Sequence, residues 1–169
     1  MLRDTSSMKN TPHAPTPAEA AKTLNSAGVF YLRVFGASML PTVWPGDVLV
    51  VHPVKLEAVE TGEILLYSRD HQLIAHRAVA RNEQNGEPVL ITRGDSLRVS
   101  DPPVRSPQVV GRIAFILRGN STLRPARTLG PAARIIAWLA QRSTLFLRIL
   151  LRLLRWLSTD SGAMFLIYG

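Results

Sequence analysis

The chain has 169 residues, 46% of them hydrophobic, and a formal net charge of +8; that suits one packed domain with appendages and excludes wholesale disorder. It contains no Cys, and its four His (13, 52, 71 and 76) lack an HxxxH or HExxH spacing, so disulfides, thiolate chemistry and a bound metal are not expected. Residues 1–128 hold 15 Lys/Arg against 11 Asp/Glu and residues 129–169 five Arg against one Asp; without a zinc finger, an aromatic-and-basic RNA signature or room for a helix-turn-helix, nucleic acid is not an expected partner.

Residues 1–15 (MLRDTSSMKNTPHAP) are polar and carry no apolar period, which predicts a disordered lead. They hold no apolar stretch of signal-peptide type. Thr16-Pro17-Ala18-Glu19 then offers an N-cap, a Pro at the first helical position and a Glu three residues after the cap, predicting a short capped helix to about Leu24. Ser26-Ala27-Gly28 closes it, so residues 1–28 read as a lead and a helix.

From Val29 the pattern changes to β-type runs at 29–35, 47–54, 63–69, 72–80, 88–93 and 109–118. Pro45-Gly46, Thr61-Gly62, Asn85-Gly86 and Gly119-Asn120 punctuate them, and Asn85-Gly86 is the best hairpin signal. Little helix is expected between them, so the fold class is mainly β, an antiparallel domain over 29–128. After Pro131 the period becomes helical. Over 132–157, Arg134, Arg142, Arg148, Arg152 and Arg155 share one sector and Ile135, Leu139, Phe146, Leu150, Leu153, Leu154 and Leu157 the other. This predicts a C-terminal amphipathic α-helix within a basic tail, 129–169, lying in the plane of an anionic membrane surface as a peripheral anchor; the bland reading packs it on the β domain with its Arg in water. The last residues, 161–169, are apolar and unassigned.

In FGASMLPTVWPGD, Ser38 is either turn chemistry or a nucleophile, and a serine hydroxyl attacks only when a neighbour takes its proton. The Lys residues are Lys9, Lys22 and Lys55; the first two lie outside the β domain and the third follows a strand end, so a Ser–Lys dyad is poorly supported. His76, inside the apolar-rich IAHRAV, is the candidate base. TRGDSLRVSD supplies Asp95 and Asp101, either of which can orient an imidazole or simply make a turn. Spacing does not choose between them.

Ser38-Met39-Leu40-Pro41-Thr42, Gly46-Asp47, Gly62-Glu63-Ile64, His76-Arg77, Gly94-Asp95 and Asp101 occur in the order of the motif boxes of the type I signal peptidases. Over roughly 29–118 the chain resembles the branch in which His stands for the catalytic Lys. The resemblance implies a signal peptidase-like β fold, Ser38 as nucleophile, His76 as general base, Asp101 as the orienting acid and Asp95 as a supporting acid. Met39 and Pro41 would shape the nucleophile turn and the substrate floor, while Gly46, Asp47 and Gly62 would form turns. It also implies a serine endopeptidase that takes a protein or peptide as an extended strand, prefers small residues before the scissile bond and uses no cofactor. The chain departs from the pattern at Gly36, where a Ser often aids the oxyanion hole, at Glu63 for Asp, and in an N-terminal anchor whose place the C-terminal helix would take. A non-catalytic peptide-binding or membrane-partner module is the alternative. A self-cleaving relative of the SOS repressors is disfavoured, because those use a Lys base near the position of His76 and carry a DNA-binding domain.

Overall fold

The computed structural model describes residues 15–142. Helix α1 (Pro17–Ala27) starts at Thr16, whose hydroxyl accepts the Glu19 N–H at 3.3 Å while the Glu19 carboxylate accepts the Thr16 N–H at 2.7 Å. Gly28, at φ 71°, closes the helix by donating to Leu24 O. This is the expected capping box, extended by three residues. Ala20 and Leu24, four apart and therefore on one face, are buried in a core cluster with Met39, Val43, Leu49 and Val51. The helix therefore packs onto the sheet that follows it.

The strands are β1 (Phe30–Arg33), β2 (Val48–His52), β3 (Ile64–Arg69), β4 (Gln72–Gln84), β5 (Glu87–Arg93), β6 (Val109–Arg118) and β7 (Ser121–Leu123). They form one antiparallel sheet in the order β1-β2-β6-β3-β4-β5, with β7 on β6. Each of the six expected runs matches one of the first six strands, with β4 running on past residue 80 to Gln84 and β5 starting earlier, at Glu87. Asn85 and Gly86 have φ 55° and 80°, the two positive angles of the turn that Asn-Gly predicts. Asp70 and His71, at φ 48° and 61°, make the same kind of turn between β3 and β4, without a glycine to announce it.

The sheet is buried on both faces, and side chains two apart share a face. Ile64 and Leu66 of β3 enter the cluster beneath α1, with Leu73 and Ala75 of β4 packed against it. Leu65 and Tyr67 of β3, Ala78 of β4 and Leu90 of β5 belong to a second cluster with Leu56, Val59 and Val104. This two-sided burial explains why ILLY reads as an unbroken apolar run.

Helix α2 (Pro131–Arg142) begins where the helical period begins. The rest of the expected amphipathic helix, the lead at 1–14 and residues 161–169 lie outside the described residues. No helix among those described is long and apolar enough to cross a membrane.

Candidate active site

Ser38 stands on an excursion between β1 and β2. The base of that loop is tied by Val34 N–H to Asp47 O at 2.9 Å and Gly46 N–H to Val34 O at 2.8 Å. Its turn is anchored by three buried apolar side chains, Met39, Leu40 and Val43. Asp47 accepts the Trp44 N–H at 2.8 Å and a two-pronged pair from Arg118 at 3.0 and 2.7 Å, and Arg118 also donates to Thr42 O. Gly46-Asp47 therefore holds the loop that carries Ser38.

His76 lies in β4 opposite Leu65 of β3. Its Nε2 is 2.9 Å from Ser38 Oγ and its Nδ1 is 2.7 Å from Asp101 Oδ2. Both contacts are satisfied by a neutral imidazole that carries its proton on Nδ1, donates it to the carboxylate and accepts from the serine hydroxyl. Asp101 is held in turn by Thr92, whose backbone O accepts the Asp101 N–H at 2.8 Å and whose Oγ1 donates to Oδ2 at 2.7 Å. Burial alone would raise the Asp101 pKa, but hydrogen bonds from His76, Thr92 and Tyr67, with the nearby imidazole, bring it below the usual carboxylate value of 3.8. Asp101 is thus stabilised as the anion that an imidazolium needs beside it.

Asp95 does not join this relay. Alternation turns Arg77 away from the His76 face, and Asp95 meets it there. Arg77 Nε and one terminal nitrogen each donate to the carboxylate at 2.7 Å, and Thr42 Oγ1 also donates to it. Arg77 further donates to Gly62 O and Ala126 O at 2.7 Å and to Thr42 Oγ1 at 3.2 Å, so all five N–H groups of this buried guanidinium are used. Removing one member of such a buried pair costs about 3–5 kcal/mol. Asp95 and Arg77 thus tie β4 to the turn that carries Ser38 and to the segment that leads into α2. Gly62, at φ 95°, completes that junction, since a Cβ there would lie 2.6 Å from Arg127 O.

The turn after β5 reaches Ser38 directly. Ser96 donates its N–H to Ser38 O at 2.9 Å, and its hydroxyl lies 2.9 Å from both Ala37 O and Ser38 O. A Cβ on Gly94 would stand 2.6 Å from Ser38 O, so the approach requires glycine. Ser96, Thr92 and Tyr67 had no motif to mark them; the last two read only as β-forming residues inside strands.

A groove of about 680 Å³ opens beside Ser38 and His76, within the range of small-ligand and peptide sites. One wall is β1 and its continuation, Leu32 to Gly36, and the other is His71 to His76 at the start of β4. Met39 is among the residues that line it. Pro41, joined to Leu40 by a cis peptide bond, is half-buried in the turn and does not line the groove; the turn carries Met39 inward and leaves Pro41 behind it. Among the described residues the two walls have free edges: β1 pairs only with β2, and β5 joins β4 only from Arg77 onward. Among the described residues no acidic or His cluster suited to a metal ion occurs.

A family model described as Peptidase S24-like matches residues 7–104, a span that includes Ser38, His76, Asp95 and Asp101. It begins before the expected residue 29, taking in α1, and ends before β6. Compared with curated proteins, the sequence matches none. The expected kinship with type I signal peptidases holds at the level of a shared fold. With more than half of its length matched, the chain belongs to the Peptidase S24-like family.

Proposed function

We propose that the chain is a serine endopeptidase in which Ser38 is the nucleophile, His76 the general base and Asp101 the acid that orients it. The unbroken sequence of contacts from Ser38 Oγ to His76 to Asp101, at 2.9 and 2.7 Å, carries this reading. Both lie within the hydrogen-bond reach of about 2.6–3.2 Å that proton transfer needs. A peptide would lie along the groove as an added strand, using the free edges of β1 and β4. Ser38 attacks its carbonyl carbon as the serine proton passes to Nε2. The imidazolium, steadied by Asp101, returns that proton to the leaving amine, and water then releases the acyl group. The Ser38 N–H has no backbone acceptor among the described residues, which leaves it available to the oxyanion. Small residues before the scissile bond are the substrate class that the family resemblance implies.

A serine-directed fluorophosphonate tests the reading. Wild-type protein is expected to be labelled at Ser38. Ser38→Ala and His76→Ala should abolish labelling, and Asp101→Asn should slow it by up to about 10⁴-fold, as loss of the orienting acid does in other serine peptidases. An unlabelled wild-type protein would favour the non-catalytic peptide-binding module. Shortening of the purified chain on its own would favour self-cleavage over cleavage of a separate substrate.

A further inference from the structure

Two hydroxyls lie behind Asp101, away from the groove. Tyr67 of β3 and Thr92 of β5 are both fully buried, and Tyr67 belongs to an otherwise aliphatic cluster of Leu56, Val59, Leu65, Ala78, Leu90 and Val104. A hydroxyl in such a place costs free energy unless it is hydrogen-bonded, and valine and phenylalanine would fill the same volumes without that demand. Register brings the two together from different strands. Thr92 is the cross-strand partner of Ala78, two residues after His76, and Tyr67 lies two residues after Leu65, the partner of His76. All four positions therefore share the face of the sheet that carries the imidazole.

The proton count gives this cluster a direction. An ionised carboxylate only accepts, so the single Thr92 hydroxyl proton goes to Asp101 Oδ2, at 2.7 Å. The Tyr67 hydroxyl stands 3.3 Å from Thr92 Oγ1, and its own single proton turns to the Asp101 carboxylate. The Tyr67 ring also stands edge-on to the His76 ring, with centroids 6.5 Å apart. Asp101 Oδ2 thus takes donors from the imidazole on one side and from the threonine on the other.

The geometry points to Thr92, backed by Tyr67, as a positioning residue that fixes the Asp101 carboxylate toward His76 Nδ1 and thereby sets the tautomer and aim of the base. This rests on the proposed peptidase chemistry, but its structural half can be read without turnover. Neither residue touches the groove, so neither is placed to bind substrate.

The test compares full-length wild type with Thr92→Val, Thr92→Ser and Tyr67→Phe. Its readouts are the rate of fluorophosphonate labelling and the proton NMR resonance of His76 Nδ1–H, assigned by its loss in His76→Ala. Thr92→Val should slow labelling about 10- to 100-fold, the factor expected for a lost hydrogen bond to a charged group, and shift the resonance upfield. Thr92→Ser should restore both, and Tyr67→Phe should slow labelling by about a few-fold with a smaller shift. Wild-type rate and an unmoved resonance in Thr92→Val would overturn the positioning role. If Thr92→Val does not fold, the same result in Tyr67→Phe does so. A wild type that is not labelled defeats the peptidase reading alone, and the resonance comparison still decides the positioning.

Discussion

Asp101 and Tyr67 hold their protonation states against opposite ends of the pH scale. The Asp101 pKa is lower in the fold than its ordinary 3.8, so its contribution to stability is complete above that value and is lost as pH falls through the folded one. Tyr67 is raised from 10.0 to about 12, first by burial and then by the neighbouring Asp101 anion, against a lowering contact from Thr92. Its contribution is complete below pH 10 and disappears as pH climbs through about 12. Unfolding midpoints measured between pH 9 and 12 should therefore fall more steeply in wild type than in Tyr67→Phe; equal alkaline slopes would show that the phenol is not held neutral. At this scale the sequence was most informative where chemistry is rare. A His in an apolar strand and a Ser before Met-x-Pro are conspicuous. Thr92 and Tyr67 are ordinary strand residues, and only register reveals their convergence. Spacing could not separate Asp95 from Asp101, six residues apart in one loop; the family resemblance did, and the physical reason, that Arg77 faces away from His76 and takes Asp95, lies in the register.

Among the elements, the turn following β5 has the tightest geometric tolerance. Gly94 brings it onto the carbonyl of the nucleophile, and Ser96 grips the same oxygen. Gly94→Ala should force the two backbones apart. A displacement of about 1 Å at a reacting group can cost about 10²-fold in rate, whereas crowding of this kind costs about 1–3 kcal/mol of stability. The labelling rate should thus fall in a variant that remains folded by thermal melt; an unchanged rate would mean that the contact does not position Ser38. The strand elements themselves were legible because alternation, β-branched residues and Gly- or Pro-bearing turns agree with one another. The order β1-β2-β6-β3-β4-β5 was not, since pairing of β2 with β6 depends on contacts between distant parts of the chain. The cap of α1 could be read from Thr16 and Glu19; its burial in the domain core could not, because a short helix with two inward residues has little amphipathic signature.

For the molecule as a whole, the segment that leads into α2 is tied to the strand carrying His76. Arg77 binds Ala126 O beside the base strand, and Arg127 packs over Gly62 and pairs with Glu60 and Glu63. We expect residues 129–157 to bind anionic membrane surfaces through their Arg and apolar residues, with Ile135 and Trp138 of α2 exposed. In flotation with anionic vesicles, full-length protein should rise further than residues 1–128, and high salt should reduce the difference. Equal flotation would sink the anchor.

The free edges of β1 and the first half of β4 carry a consequence for timing. An added strand must bring its own unspent N–H and C=O groups, and a segment already folded into a helix or sheet has none to offer. Such a groove would sense whether its target is still unfolded before it senses which residues flank the bond. On the proposed peptidase chemistry, cleavage becomes a race against the target's own folding. Two substrates with identical cut sites would differ in fate according to how soon each closes its backbone hydrogen bonds.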